Sequence, residues 1–170
     1  LASVETVGKV LRRFSRPIFI AGSLLAEDNS VSPYLVEFAL KIGKTGIPVV
    51  ATAHTEKVFR DHGFTSVASM GILEIIERLS DPSWKGLDGK GNYDLAIFLG
   101  FPYFLASQAL SALKHFAPHI KTVSTDQWYH PSATWSFPNL MKKDWLKNLE
   151  KLANFLAGEH VEQTARRLSS

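Results

Sequence analysis

The chain has no cysteine among its 170 residues. That excludes disulfides, thiolate nucleophiles, thiolate zinc sites and any cysteine-held iron–sulfur cluster within it. It also has no apolar run long enough to span a bilayer, and no basic, apolar and then small-residue leader at its start. A soluble, cytoplasmic protein with no membrane partner is the expectation. Leu1 stands where a methionine is usual, which carries the expectation that residues precede it. Excess charge is scarce too, at a net +3. The basic residues are scattered as Arg12, Arg13 and Arg16, then Lys142 and Lys143, then Arg166 and Arg167. A nucleic-acid surface needs a denser stripe with interleaved aromatics, so no nucleic-acid partner is expected.

Catalytic signatures are equally thin. Ser23 directly follows Gly22, whereas a nucleophile elbow requires G-x-S-x-G. Asp61 and His62 are neighbours on a helix and do not face each other. His115 and His119 have a one-turn metal spacing, but Pro118 breaks the helix between them and no carboxylate completes a ligand set. All six histidines read as ordinary surface or edge residues. The glycine-rich run Gly86-Leu87-Asp88-Gly89-Lys90-Gly91 lacks the Ser or Thr that follows a phosphate-loop lysine, and it enters a strand where a phosphate loop leaves one. A surface turn is the plainer reading. No hydrolase, transferase or metal centre emerges, and a protein that binds rather than catalyses is the expectation.

What is present is an ordinary globular composition, 45% apolar and 21% charged, at the length of one domain. Val4, Val7, Leu11 and Phe14 share one face of a helix over residues 1–14. Ile18 to Ala21 reads as a short buried strand stopping at Gly22. Ser32-Pro33 reads as an N-cap with proline at the first helical position, opening a helix with Leu35, Phe38, Ala39 and Ile42 inward. Pro48 to Thr52 is the next strand. The alternation continues through a helix at Thr55–His62, a weak strand at Ser66–Ala68 and a helix marked by Ile72, Leu73, Ile76 and Leu79. A turn-rich loop from Asp81 to Asp94 leads to the strongest strand, Leu95–Leu99, which stops at Gly100. A helix with Ala106, Ala109, Leu110 and Leu113 inward, a strand at Lys121–Thr125 and a loop from Asp126 to Leu140 follow. The closing helix carries Trp145, Leu149, Leu152 and Leu156, and residues 157–170 read as a tail.

Continuous apolar strands alternating with amphipathic helices predict one doubly wound, Rossmann-like parallel sheet in three layers over residues 1–170. The predicted strand order is 3-2-1-4-5. In such sheets ligands bind where the order reverses, at the carboxyl ends of the strands. Gly22, Ser23, Thr52, Ala53, Gly100, Phe101 and Asp126 therefore form the candidate nucleotide crevice. Small residues there either admit a ligand to the backbone or simply allow tight turns. The G-x-G-x-x-G fingerprint is absent. Trp84 and Leu87 on the turn-rich loop, with Trp128, Trp135 and Phe137 on the later one, form the candidate partner interface. The same aromatic residues are also suited to cover the domain's own core.

Two resemblances attach to these residues. Arg16-Pro17-Ile18-Phe19-Ile20-Ala21-Gly22, Ile47 to Thr52 and Asp94 to Gly100 resemble the central domain of thiamine-diphosphate enzymes, of the deoxyhypusine-synthase-like NAD/FAD-binding fold. Asp81 to Asp94 (DPSWKGLDGKGNYD), Gln108 to Lys114 and Ala133 to Leu140 resemble the epsilon subunit of the archaeal acetyl-CoA decarbonylase/synthase (carbon monoxide dehydrogenase) complex. The second resemblance implies a noncatalytic subunit that pairs with a nickel–iron–sulfur alpha subunit in an alpha2-epsilon2 assembly. It implies a role in stabilising alpha, or in electron transfer to a bound FAD during CO oxidation. The alternative is a stand-alone NAD- or FAD-binding enzyme of the same fold, sirtuin-like or thiamine-enzyme-like.

Overall fold

Phe19 pairs with Val49 on one side and with Ile97 on the other, which puts its strand at the centre of a parallel sheet. That strand, β1 (Pro17–Ala21), is flanked by β2 (Val49–Ala51) and β4 (Leu95–Leu99). Outside them lie β3 (Val67–Ser69), β5 (Lys121–Ser124) and a two-residue β6 (Trp135–Ser136). The order is β3-β2-β1-β4-β5-β6 and every pairing is parallel. The helices are α1 (Val4–Arg13), α2 (Ser32–Lys44), α3 (Ala53–Asp61), α4 (Ile72–Ser80), α5 (Tyr103–Phe116) and α6 (Lys142–Ser169). The computed structural model describes the backbone of residues 1–169 and the side chains of residues 1–158.

Side chains alternate across the strands, as a pleat of period two requires. Phe19, Ala21, Val49, Ala51, Leu95, Ile97, Leu99 and Val123 point to the face covered by α1, α2 and α6. Ile18, Ile20, Val50, Ala96 and Phe98 point to the face covered by α4 and α5. Both faces being buried is why the strands read as continuous apolar runs. The predicted stripes of α2 and α6 are buried, as are Val4, Val7 and Leu11 of α1.

Five features of the fold differ from the expectation. The loop from Asp126 to Leu140 contains β6, whose two residues are too few to show a period. Phe137 is fully buried beneath α6, and Trp135 packs edge-on against Phe14 at the margin of the same core. Phe137 therefore presents no surface to a partner. In α4 the inward residue is Ile75 rather than Leu73, because 72, 75, 76 and 79 share one helical face while 73 lies off it. Ser32 is the first residue of α2 and Val31 its N-cap; Asn29 Oδ1 accepts the N–H groups of both at 2.9 Å. The expected tail from 157 continues α6 to Ser169. The side chains of Arg166 and Arg167 lie outside the described residues, as does Ser170.

A cleft at the carboxyl edge of the sheet

The sheet order reverses between β1 and β4, and the backbones leaving these strands meet there. Gly22 N–H donates to Leu99 O, and Leu24 N–H donates to Gly100 O, each at 2.8 Å. Gly100 adopts φ +86°, a left-handed conformation that favours glycine. A Cβ on Gly22 would strike the carbonyl of Gly100 and the ring of Phe101. One on Gly100 would strike Cδ1 of Leu25. The two glycines thus allow the chain to pack on itself, with Phe101 and Leu25 set against them.

A cleft of about 270 Å³ opens beside this contact. It is walled by residues following β1 (Leu24, Glu27), β4 (Phe101, Tyr103) and β5 (Asp126, Trp128), and it is closed by Trp145 of α6. Trp145 is fixed by its indole N–H, which donates to Thr125 O at 2.8 Å. Tyr103 stacks on His130 with centroids 4.4 Å apart and rings 15° from parallel. Lys142, at the start of α6, is the only cation on the cleft lining among the described residues.

Two buried ionisable groups belong to this cleft. Asp126 Oδ1 accepts the N–H of Gly100 at 2.7 Å, while Oδ2 has no partner. Burial pushes the Asp126 carboxyl up to about 7, against the opposing pull of the Gly100 and Phe101 N–H groups. His130 is buried with Nδ1 unpartnered, and burial lowers its pKa, favouring the neutral ring. Its place corrects the reading of every histidine as a surface or edge residue. No periodicity marks His130, because it lies in a loop whose burial comes from tertiary packing alone. His119 and Asn92 both reach Leu79 O, at 2.9 and 3.1 Å, and His119 serves as a loop anchor. Among the described residues no group of three or more His, Cys, Asp and Glu could hold a metal ion.

Of the candidate crevice residues, Phe101 and Asp126 line the cleft. Gly22 and Gly100 lie in the self-contact beside it. Ser23 and Ala53 are exposed, and Thr52 is half-buried near Thr55, whose hydroxyl donates to Gly22 O. Of the candidate interface residues, only Trp128 is exposed. Trp84 packs edge-on against Tyr93 and is half-buried with Leu87 over the α4–α5 face. Tyr103, His130 and Lys142 are among the cleft residues that the sequence did not mark, as are Leu24, Glu27 and Trp145.

A family model described as CO dehydrogenase beta subunit/acetyl-CoA synthase epsilon subunit matches residues 1–153. The chain belongs to this family. It is 41% identical over 152 residues to the acetyl-CoA decarbonylase/synthase complex subunit epsilon of Methanothermobacter thermautotrophicus, covering 89% of this chain and 85% of that protein. The subunit epsilon of Methanothrix soehngenii is 41% identical over 137 residues, covering 80% of this chain and 71% of that protein. Subunit epsilon 1 of Archaeoglobus fulgidus is 42% identical over 140 residues, covering 81% and 73%. The match to the epsilon-subunit family spans all six strands and the whole cleft lining through Trp145. No helix among the described residues is long and apolar enough to cross a membrane.

Proposed function

We propose that this chain is a noncatalytic epsilon subunit of an acetyl-CoA decarbonylase/synthase complex, which binds and stabilises the nickel–iron–sulfur alpha subunit as an alpha2-epsilon2 unit. The observation that carries this reading is the absence of cysteine in a chain matched by the epsilon-subunit family over residues 1–153. Iron–sulfur clusters are held by thiolates, so this chain has no ligands to offer them. The chemistry of the complex then belongs to the chain it accompanies. Co-purification tests the assembly: a tagged form of this chain retains alpha in equimolar amount. Recovery of the tagged chain alone from cells that make alpha would falsify the assignment.

A second reading adds electron transfer through bound FAD. The cleft favours part of it, because Trp128 and the Tyr103–His130 stack offer aromatic walls to a planar ring. The residues do not fit a pyrophosphate at the switch point. Phe101 and Leu25 cover Gly22 and Gly100, and the Asp126 carboxyl holds the Gly100 N–H. The space is also smaller than the roughly 300–1,000 Å³ usual for ligand pockets. The flavin reading therefore narrows to a ring entering the cleft. Titration with FAD tests it through quenching of flavin fluorescence. Unchanged fluorescence at high micromolar flavin removes the reading.

A further inference from the structure

Among the described residues four buried side-chain polar atoms have no hydrogen-bond partner, and two of them, Asp126 Oδ2 and His130 Nδ1, belong to residues that line the cleft. Buried polar atoms are nearly always satisfied, so two on one cleft need a reason. The other two have ordinary settings. Arg16 leaves Nε idle but bonds through its other two nitrogens, and Ser80 ends α4. Asp126 is the costlier member of the cleft pair. It is 6% exposed, its Oδ1 is taken by the Gly100 N–H, and it enters none of the ion pairs among the described residues. A buried carboxyl without a cation is driven toward its neutral form, and burial accordingly pushes this one up to about 7. A cation brought to Oδ2 removes that cost.

The walls around Asp126 suit a flat cation. Phe101, Tyr103, Trp128 and Trp145 all line the cleft, and aromatic rings attract cations through the negative charge of their faces. Planar cations such as guanidinium also stack on such rings. Two of the walls are preset. The Tyr103 ring lies against His130 with its hydroxyl donating to Tyr129 O at 3.1 Å, and Trp145 is tied to Thr125 O. The neutral His130 ring keeps a competing positive charge off the lining. Glu27 and Lys142, both exposed, carry opposite signs, so the buried carboxyl sets the balance. A volume of about 270 Å³ restricts the occupant to a small ring system, since drug-sized ligands occupy roughly 300–1,000 Å³.

We infer that this cleft is a binding site for a small planar organic cation, an amidinium, guanidinium or protonated amino-heterocycle, whose N–H donates to Asp126 Oδ2 while its plane lies against the aromatic walls. The ligand class differs from a flavin, whose neutral ring leaves the carboxyl uncompensated. The bond it makes is charge-assisted, and it forms where water is largely excluded. Binding of the cation requires the carboxylate, so affinity rises with pH through the Asp126 titration. The other titratable groups on the lining are Glu27, Tyr103, His130 and Lys142. Carboxyl, phenol and ammonium groups ordinarily titrate far from neutral pH, and burial holds His130 to its neutral ring.

The test uses two probes of one shape. The full-length chain is titrated calorimetrically with benzamidine, a planar cation, and with benzamide, its neutral counterpart. Benzamidine is expected to bind at least about tenfold more tightly than benzamide at about pH 8, as a charge-assisted bond requires. Its affinity is expected to fall several-fold at about pH 6, where Asp126 takes up its proton, while that of benzamide stays level. Asp126→Asn keeps the acceptor for Gly100 and is expected to bind both probes alike at both pH values, with thermal melting as the check on folding. The Gly100 amide and Trp128 indole resonances report where the probe sits, and both are expected to shift with benzamidine. Equal affinity of wild type for the two probes overturns the inference, as does no binding of benzamidine at millimolar concentration. A preference that survives in Asp126→Asn, or benzamidine binding that leaves both resonances unmoved, overturns it too. If the variant fails to fold, the wild-type preference and its pH dependence still decide. Binding of FAD without benzamidine supports the flavin reading and overturns this one. None of these results involves alpha, so the proposed function stands or falls by its own test.

Discussion

Asp126 Oδ1 accepts the N–H of Gly100 at 2.7 Å, so a carboxyl that follows β5 caps the turn that follows β4. In a dinucleotide-binding sheet, the turns at this switch point offer their N–H groups to a ligand's phosphates. Here the chain supplies its own acceptor and covers the glycines with Phe101 and Leu25. The sheet thus caps this turn from within and leaves an aromatic cleft beside it.

The Asp126 carboxyl gives the stability of the protein a pH dependence. Its folded value is about 7 against an ordinary 3.8. Between these values the folded chain holds a proton that the unfolded chain has released, so stability falls as pH rises. The contribution is complete below the ordinary value and is lost as pH climbs through about 7. Asp126→Asn keeps the acceptor for Gly100 and abolishes the titration. Urea melts across this range are expected to show the decline in wild type and its disappearance in the variant. The residual slope in the variant has the opposite sign, because buried His130 resists protonation in the folded state. Superimposable pH profiles for the two proteins contradict the assignment.

The glycine contact sets a second expectation. The neighbours that a Gly22 methyl would meet include the backbone of Gly100, which cannot rotate away. Gly22→Ala is expected to lose about 1–3 kcal/mol, the usual cost of overpacking. Denaturant unfolding measures it. An unchanged midpoint shows that the β1 and β4 turns are not in contact.

Phe137 and Trp128 separate core from surface. Phe137→Ala is expected to cost about 3–5 kcal/mol, as for a buried aromatic. Trp128→Ala, at a site 51% exposed, is expected to change stability by no more than about 0.5 kcal/mol. Thermal melts of the isolated variants decide it, and equal losses contradict the assigned burial.

Much of this architecture was legible in residue pattern, and the gaps have physical causes. The order of the first five strands followed from apolar runs and short joints. β6 was hidden because Trp135 and Ser136 alone cannot display alternation. Trp84 and Phe137 could be read either as a partner interface or as cover for the core, because loop aromatics look alike until packing is known. The Phe14–Trp135 contact joins residues distant in the chain, and the Trp84–Tyr93 contact depends on how the Asp81–Asp94 loop folds back on itself. Phe101 and Asp126 of the expected crevice line the cleft, while Gly22 and Gly100 lie in the self-contact beside it. Nothing in the run of residues tells that Phe101 folds over Gly22, or that His130 stacks on Tyr103.

The loop from Asp81 to Asp94 carries the last structural prediction. Arg16 makes a paired contact with Asp88 at 2.9 and 3.0 Å, donates to Gly91 O at 2.6 Å and lies over the Tyr93 ring. Its anchors are local, so their loss frees the loop without unfolding the sheet. Arg16→Ala is expected to raise amide exchange across residues 86–91 by on the order of tenfold, with exchange in β4 unchanged. Equal protection in both proteins contradicts a pinning role.

The central claim is that this chain acts by binding the catalytic alpha subunit, and the lifetime of alpha tests it most directly. CO-oxidation activity of purified alpha is followed during incubation at a temperature that inactivates it, with and without an equimolar amount of this chain. The account predicts a half-life extended several-fold by the chain, as expected when a ligand binds only the native state. An unchanged half-life at concentrations far above those in the complex contradicts it.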